Sequence, residues 1–338
     1  MRITPRVVAV AGTVIAASVL AGSSALGSTA KVDAQKPLRI AVFLGQLSNT
    51  YETAELQGVK QAAATYGARV TKVFDGQFSA AKQVQQLQDA VAAQAYDAFV
   101  IDPNDGGAIT PQIKDAIKHH ILVACMLTPC GPDPTAAHNQ IPGMVTSVGF
   151  PFDESGRMIA QLIVLACGSK KPCNVAYMPG LLTLPLEKAR LDGLNAVLKK
   201  HPNVKVVAQQ EGKYDTGTAR SVMQNILTAN PHVDVAASSY DGMTTGIEEA
   251  VAAAGLKGKV KLIGSGGSQQ AIAAVRSGRW FGTVRAVPKT EGRLVVKYLV
   301  AASKGKKTPG YVNEYSAQPG GPLVTPKRAK KMTAEYRS

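Results

Sequence analysis

The residues that most often perform covalent or acid–base chemistry are few in this chain and poorly placed for it. Four of the five histidines fall at predicted helix ends or in turns, where a surface position is the default: His119, His120, His201 and His232. None of the five follows a predicted strand beside a serine or cysteine that it could activate. We therefore expect a protein that is not an enzyme and that has no cofactor.

A glycine-rich run, Gly264-Ser265-Gly266-Gly267-Ser268, is the second segment whose composition suggests chemistry. Backbone N–H groups in such a turn can bind an anion when a helix begins there. Gln269 stands where a dinucleotide-binding fingerprint would have its last glycine, and the serines lack the setting of a nucleophile elbow. A glycine turn without a special role is the simpler interpretation.

Four cysteines form two pairs that are close in sequence, Cys125 with Cys130 and Cys167 with Cys173. Disulfides are the default in an oxidising compartment, and local pairing is the simplest of the three possible connectivities. Zinc binding is a weaker alternative, because the spacing exceeds the usual gap between ligands and no histidine is fixed beside either pair. Free buried cysteines are the remaining alternative.

The chain from Leu38 onward alternates short apolar runs with amphipathic stretches, which predicts strands that are each followed by a helix. In the first half, strands are expected at 39–44, 68–74, 96–102 and 120–126, with helices near 52–66, 80–94 and 108–119. Runs rich in Val, Ile and Ala are typical of parallel strands that are buried on both faces.

The second half repeats this order of elements. Strands are expected at 174–180, 204–210, 233–239 and 259–265, and helices near 186–200, 218–228 and 244–254. Corresponding strands of the two halves are separated by a steady 135–139 residues. The pattern predicts an α/β protein with two doubly wound parallel-sheet lobes.

Ligands of such sheets bind at the carboxyl ends of the strands. In the first half this rule selects the loops 45–51, 75–78, 102–107 and 127–131, so that Asp102 and Thr128 become candidates. In the second half it selects 180–184, 211–215, 240–243 and 264–268. Two such edges that face each other would form a cleft able to close on a ligand.

The first thirty residues have the composition of a secretory signal peptide. Arg2 and Arg6 precede an apolar core of 14 residues, 7–20, and small residues follow. The core is shorter than the ~20 residues that span a bilayer, although an uncleaved anchor is the alternative. Residues 1–30 are therefore interpreted as a signal peptide, with cleavage after Ala25, Gly27 or Ala30, and the mature protein as periplasmic or extracellular.

The net charge of +15 allows an anionic partner such as a cell envelope, or simply a solubilising surface. A nucleic-acid partner would require a basic stripe with stacking aromatic residues, but the lysines are scattered and aromatic residues make up only 5% of the chain. We expect no nucleic-acid partner, and we expect a monomer.

Several motifs make the chain resemble the type I periplasmic solute-binding proteins of ABC transporters, in particular the ribose-binding branch. The most specific is the stretch 212–246, in which a helix ending in ILTANP is followed by a strand and a polar turn, Tyr240-Asp241-Gly242-Met243. Others are Ser48-Asn49-Thr50-Tyr51, IDPNDGGAITPQIKDA at 101–116 and SGRWFGTVRAVPKTEG at 277–292.

The resemblance implies two α/β lobes joined by a three-strand hinge. The first lobe would comprise residues 37–149 and 287–312, and the second 150–286 and 313–338. It also implies a small polar ligand in the cleft between the lobes and, as partners, the permease subunits of an ABC importer in the membrane.

The resemblance also implies which residues contact the ligand. Asn49, Tyr51 and Glu52 match positions after the first strand, although Asn49 could instead cap a helix and Glu52 replaces an aromatic residue. Tyr240 and Asp241 match the family's acidic turn, for which a helix cap at the same place is the plain alternative.

Three carboxylates that bind sugar hydroxyls in this family are missing, since Thr128-Pro129, Pro151 or Phe152, and Gly266 stand in their places. The basic positions remain, as Lys188 and Arg190, and Arg285 lies beside another ligand position. Arg190 could instead form an ion pair with an acid such as Asp192. These exchanges favour a sugar or a sugar-derived ligand that could be acidic.

The predicted function is therefore that of an exported substrate-binding protein of an ABC importer. A ligand-sensing receptor of the same fold, which would signal to a membrane protein, is the first alternative. An extracellular hydrolase is the second and weaker one.

Overall fold

The computed structural model describes residues 36–338, so the predicted signal peptide at 1–30 lies outside the described residues. Within this range no helix is long and apolar enough to cross a membrane. Residues 37–338 form one compact unit that contains two six-stranded sheets, and every helix in this range packs against one of them or against its neighbours.

The first sheet is parallel throughout, with the strand order β11-β5-β4-β3-β1-β2. Its strands are β1 (Leu38–Leu44), β2 (Ala68–Asp75), β3 (Ala98–Ile101), β4 (Leu122–Leu127), β5 (Thr146–Gly149) and β11 (Tyr311–Asn313). Val42 in β1 packs into one apolar cluster and Phe43 into another, so the sheet is buried on both faces. This is the parallel arrangement that the apolar runs predicted.

The second sheet has the order β12-β10-β9-β8-β6-β7, and only β12 is antiparallel to its neighbour. Its strands are β6 (Cys173–Met178), β7 (Val204–Gln209), β8 (Val235–Ser238), β9 (Lys261–Gly266), β10 (Gly282–Arg285) and β12 (Leu323–Val324). The chain passes between the sheets three times, after β5, after β10 and between β11 and β12. The predicted fold class of two doubly wound lobes is confirmed.

Helices connect the strands and cover both sheets. They are α1 (Thr50–Tyr66), α2 (Ala80–Ala93), α3 (Thr110–Lys118), α4 (Phe152–Cys167), α5 (Pro185–Leu198), α6 (Thr216–Ala229), α7 (Asp241–Ala253), α8 (Gln269–Arg276) and α9 (Pro288–Ser303), followed by the short α10 (Glu314–Ala317) and α11 (Pro326–Ala329). Side chains of Asn49, Ser79, Asp215 and Ser268 cap four of them by accepting backbone N–H groups. Each of these caps therefore fixes the loop that follows a strand's carboxyl end.

Both cysteine pairs form local disulfides, Cys125–Cys130 at the end of β4 and Cys167–Cys173 between α4 and β6. Their Cα atoms lie 6.0 and 5.7 Å apart, which is ordinary for a disulfide. All four cysteines are among the described residues and none is free, so the zinc and free-thiol alternatives are dropped.

Replacing both Cys167 and Cys173 by serine is expected to lower the free energy of unfolding by about 2 kcal/mol. The bridge closes a short loop, and the entropy that it removes from the unfolded chain is correspondingly modest. Urea denaturation of the variant and of the parent protein under oxidising conditions measures the difference. An unchanged denaturation midpoint would contradict a stabilising bridge.

The C-terminal segment, residues 333–338, contacts both lobes. On the second lobe the Tyr336 carbonyl accepts from Gln269 N at 2.8 Å, and Ser338 Oγ lies 2.8 Å from Ser268 Oγ. On the first lobe, Glu335 accepts hydrogen bonds from the start of α9, at Thr290 N and Oγ1. The segment therefore ties the two lobes together beside the connections that cross between the sheets.

Candidate functional site

A cavity lies between the lobes, where the carboxyl ends of both sets of strands meet. Eight of the residues expected from the sequence line it: Asn49, Tyr51, Glu52, Asp102, Thr128, Arg190, Tyr240 and Gly266. The lining is completed by Phe78, Pro103, Asn104, Leu127, Phe150, Phe152, Leu184, Leu186, Tyr214, Ser239, Ser265 and Ala286. Six of the lining residues are aromatic, so the cavity offers apolar faces with a small number of polar groups.

The first-lobe wall is held by hydrogen bonds to the backbone. Asn49 both lines the cavity and caps α1, because its Oδ1 accepts from Tyr51 N at 2.9 Å. Glu52 Oε2 accepts from Gln46 N at 2.6 Å. The buried Gln83 bonds Asp102 O at 2.8 Å and Asn104 N at 2.9 Å, and thereby fixes the loop after β3.

The two lobes touch at the rim of the cavity. Thr50 Oγ1, at the start of α1, lies 2.5 Å from the hydroxyl of Tyr240 at the start of α7. The rings of Phe78, after β2, and Tyr214, after β7, have their centroids 5.4 Å apart. The structure therefore shows the closed arrangement, with the cavity covered by residues from both lobes.

Arg190 is the only arginine or lysine among the described residues that line the cavity, and it is already engaged. Its guanidinium forms an ion pair with Glu187, one turn earlier in α5, and stacks 4.9 Å from the Phe152 ring centroid. The Tyr214 hydroxyl also donates to Glu187. Both members of the pair are buried, with the Glu187 side chain fully covered. The arginine therefore adds no net positive charge to the cavity.

The structure contradicts the suggestion that Arg190 forms an ion pair with Asp192. Asp192 pairs instead with Lys188 at 2.5 Å, and both of these side chains are mostly exposed. Residues two apart on a helix do not face each other, whereas residues three or four apart do. The same geometry places Lys188 outside the cavity lining.

The cavity carries two buried carboxyl groups that have no ion-pair partner among residues 36–338, Glu52 and Asp102, each only 4% exposed. Burial raises the pKa of Glu52 well above its ordinary value, and the nearby Asp102 raises it further. Burial also raises the pKa of Asp102, to about 7. In the described lining, the side chains that could carry an unbalanced charge are therefore acids, where the sequence had indicated bases.

Asp241, which the resemblance made the strongest candidate for ligand binding, lies behind the cavity and does not line it. The helix that it was expected to precede begins at Asp241 itself, with Tyr240 as the N-cap residue. Its carboxylate accepts from Ser268 N at 2.7 Å and from Thr283 Oγ1 at 2.8 Å. Asp241 therefore holds the glycine-rich loop in place, and a direct contact with the ligand stays a prediction.

The glycine-rich loop is held by contacts within the protein, which supports the simpler interpretation of a turn without a special role. Its Ser268 N–H is already bonded to the Asp241 carboxylate, and the Ser268 hydroxyl caps α8 at Ala271 N. Gly266 lines the cavity with a φ of 130°, a conformation that favours glycine. A side chain there would also collide with the hydroxyl of Tyr336.

Arg285 likewise lies outside the cavity lining. Its guanidinium donates to Gln318 Oε1 at 2.9 Å and to Thr333 O at 3.2 Å. These contacts fasten β10 to the C-terminal part of the chain. The neighbouring residue, Ala286, is the one that reaches the cavity.

The sequence analysis did not single out the aromatic residues Phe78 and Tyr214 at the rim. Both lie in loops that the strand-end rule had already selected, 75–78 and 211–215, so the signal was present. Phe78 and Tyr214 both have a positive φ, of 52° and 56°, which is uncommon for residues other than glycine. Nothing in the sequence pattern indicates that these two residues adopt a positive φ.

A second group of buried carboxyls, which we call the hinge glutamates, lies beside the crossing connections: Glu55, Glu291 and Glu314. The Tyr51 hydroxyl donates to Glu291 Oε1 at 3.0 Å, and Glu314 Oε2 accepts from Val287 N at 3.2 Å. Burial raises the pKa of all three well above the ordinary value. The hinge glutamates therefore favour their protonated, uncharged forms.

Comparison with known proteins agrees with this architecture. The sequence profile described as "Periplasmic binding protein domain" matches residues 40–307. The ribose import binding protein of Bacillus subtilis is 24% identical over 273 residues, which is 81% of this chain and 84% of that protein. The chain belongs to the periplasmic binding protein family, in its ribose-binding-like branch, as the motifs predicted.

The solved structures that resemble this chain belong to the same class, the solute-binding proteins. A periplasmic solute-binding protein of an ABC transporter from Actinobacillus succinogenes, with bound D-allose, has a TM-score of 0.75 and 27% identity, covering 88% of this chain and all of that one. The myo-inositol binding protein of Caulobacter, bound to myo-inositol, also has a TM-score of 0.75, with 25% identity over 88% of this chain and 96% of its own. These relatives are solute-binding proteins, which confirms the prediction that the chain is not an enzyme.

Proposed function

We propose that this protein is an exported receptor that captures a sugar or a related polyhydroxylated molecule and delivers it to an ABC importer. The observation that carries the proposal is the closed cavity between the lobes, whose rim is joined by the Thr50–Tyr240 contact. A ligand that bridges both walls would stabilise this arrangement relative to one in which the lobes are apart.

The lining suits a ring that carries several hydroxyl groups. Aromatic faces can stack on the C–H face of such a ring, and polar side chains can pair with its hydroxyls. Ser239 offers a buried hydroxyl that has no hydrogen-bond partner in the described part of the chain, and Asn49 retains an amide group beyond its capping bond. Relatives named for ribose, D-allose and myo-inositol support the same class of ligand.

An acidic ligand, which the basic positions suggested, is not part of the proposal. Lys188 and Arg285 lie outside the cavity, and Arg190 is neutralised by Glu187. An added carboxylate would meet Glu52 and Asp102, and the described lining holds no free cation to offset the added charge. The proposal also includes export from the cytoplasm, a permease as the membrane partner, and a monomeric receptor; family membership supports the first two.

A thermal-unfolding screen of residues 31–338 tests the proposal. D-ribose, D-allose, myo-inositol and other neutral sugars and polyols, together with amino derivatives of them, are each added in excess. A ligand present at 100 times its dissociation constant should stabilise the protein by about 2.7 kcal/mol. If no sugar, polyol or amino derivative raises the unfolding temperature, the proposed ligand class is wrong.

Ser239→Ala should weaken binding of whichever compound gives the largest stabilisation by about three- to tenfold, because a typical hydrogen bond is lost. Ser221→Ala is a matched control, since Ser221 is exposed on α6 and does not line the cavity. Isothermal titration calorimetry compares both variants with the parent protein. Equal affinities for the two variants would place the ligand elsewhere.

A further inference from the structure

The cavity contains an unbalanced set of ionisable groups. Two acids line it from the first lobe, Glu52 on α1 and Asp102 after β3, and neither forms an ion pair with any described residue. The basic residue of the lining, Arg190, is balanced by its own neighbour Glu187 on the second lobe. Within residues 36–338, the cavity therefore lacks a counter-charge for two carboxyl groups.

Buried carboxyls without a counter-charge are costly in their ionised form, so they retain protons or acquire a cation. Their environment shows the first effect, since burial raises the pKa of Glu52 well above normal and that of Asp102 to about 7. A ligand that brought a positive charge to this wall would reverse the effect. Each carboxylate would then accept charge-assisted hydrogen bonds, which are stronger than those between neutral groups.

The shape and lining of the cavity restrict what the cation can be. Metal binding has no support among the described residues, which contain no cluster of side chains able to hold an ion. The aromatic residues around the cavity, Tyr51, Tyr214 and Tyr240 among them, can also attract an organic cation through their ring faces. On the second lobe, the Ser239 hydroxyl lines the cavity without a hydrogen-bond partner in residues 36–338, so it is suited to a ligand hydroxyl.

We propose that the ligand is an amino-substituted sugar or polyol, with its ammonium group on the wall formed by Glu52 and Asp102 and its hydroxyls toward the second lobe. This inference rests on the proposed function, because it names the member of the polyhydroxylated class that the cavity favours. The basic positions of the sequence suggested a negatively charged ligand, whereas the ligand proposed here carries a positive charge.

The test compares matched pairs of compounds that differ in one amine: glucosamine with glucose, glucamine with sorbitol, and an inosamine with myo-inositol. Calorimetric titration at neutral pH gives the affinity of each. We expect the amine of at least one pair to bind about tenfold or more tightly than its hydroxyl partner, because it forms hydrogen bonds to ionised groups.

Glu52→Gln and Asp102→Asn keep the shape of each side chain and remove its charge, and each should reduce the preference for the amine to less than about threefold. Two variants are used so that the failure of one to fold leaves the other as the test. Glu249→Gln, in an exposed position of α7, is the matched control and should retain the full preference.

Each outcome decides between the two proposals. If hydroxyl compounds bind at least as tightly as amines in every pair, the further inference fails and the proposed function stands. If an amine is preferred but both variants keep that preference, the assignment of the cation to Glu52 and Asp102 is overturned. If neither the pairs nor the neutral panel bind, both proposals fail.

Discussion

Glu187→Ala lowers the free energy of unfolding by about 3–5 kcal/mol, which is the largest effect that we expect from a single substitution near the cavity. Removing one partner of a buried ion pair leaves the other charge uncompensated in a poorly solvated place. Here the charge left behind is the guanidinium of Arg190, only 5% exposed and packed on Phe152. The Tyr214 hydroxyl loses its acceptor at the same time. Urea denaturation followed by circular dichroism measures the change.

The adjacent residue supplies a matched control. Lys188→Ala breaks the exposed pair with Asp192 and should cost no more than about 0.5 kcal/mol. The double variant Glu187→Leu with Arg190→Met removes both charges and should regain most of the stability, because an apolar replacement of a buried pair is often neutral. If Glu187→Ala costs no more than Lys188→Ala, the pair is not buried in solution as it is in the structure.

Stability is expected to fall as the pH rises from about 5 to 7, with the hinge glutamates as the main cause. In the unfolded chain a glutamate has a pKa of about 4.3, whereas burial raises the pKa of Glu55, Glu291 and Glu314 well above that. Between the two values the folded protein holds more protons than the unfolded chain. Stability is then greatest below the unfolded pKa and decreases by about 1.4 kcal/mol per pH unit for each proton retained.

Asp102 and Asp241 act in the same direction, because burial raises their pKa values to about 7 and about 6. Denaturation by urea at pH 5, 6 and 7 gives the slope. Glu291→Gln should make this slope shallower by the amount that one retained proton contributes. Glu249→Gln, at an exposed position, should leave the slope unchanged. A stability that rises over this range would show that the hinge glutamates are ionised in the folded protein.

The positions of the strands could be predicted from the sequence because buried parallel strands leave continuous apolar runs. The strand-end rule then brought most of the cavity together: Asn49 and Asp102 from the first lobe, and Tyr240 and Gly266 from the second, all line it. Such a rule identifies loops but cannot determine which way a side chain points. Asp241 shows the difference, because it directly follows a lining residue and yet bonds the loop behind the cavity.

The charge of the cavity could not be predicted, because it depends on which groups pair after packing. The sequence shows Lys188 and Arg190 as two bases on one helix, with Glu187 and Asp192 beside them. Only the orientation of α5 determines that one pair is buried and the other exposed. The contacts of the C-terminal segment could not be predicted either, since they are made by individual residues that follow no periodic pattern.

The attachment of residues 333–338 to both lobes determines how the cavity can admit a ligand. Glu335 and Tyr336 connect the start of α9 to the start of α8 on the side where the chain crosses between the sheets. Movement there is small if these bonds persist. The lobes then separate by a hinge rotation, and the gap is widest at the edge opposite the crossing connections. The contact between the rings of Phe78 and Tyr214, which follow the edge strands β2 and β7, lies at that edge and is among the first to break when the ligand leaves.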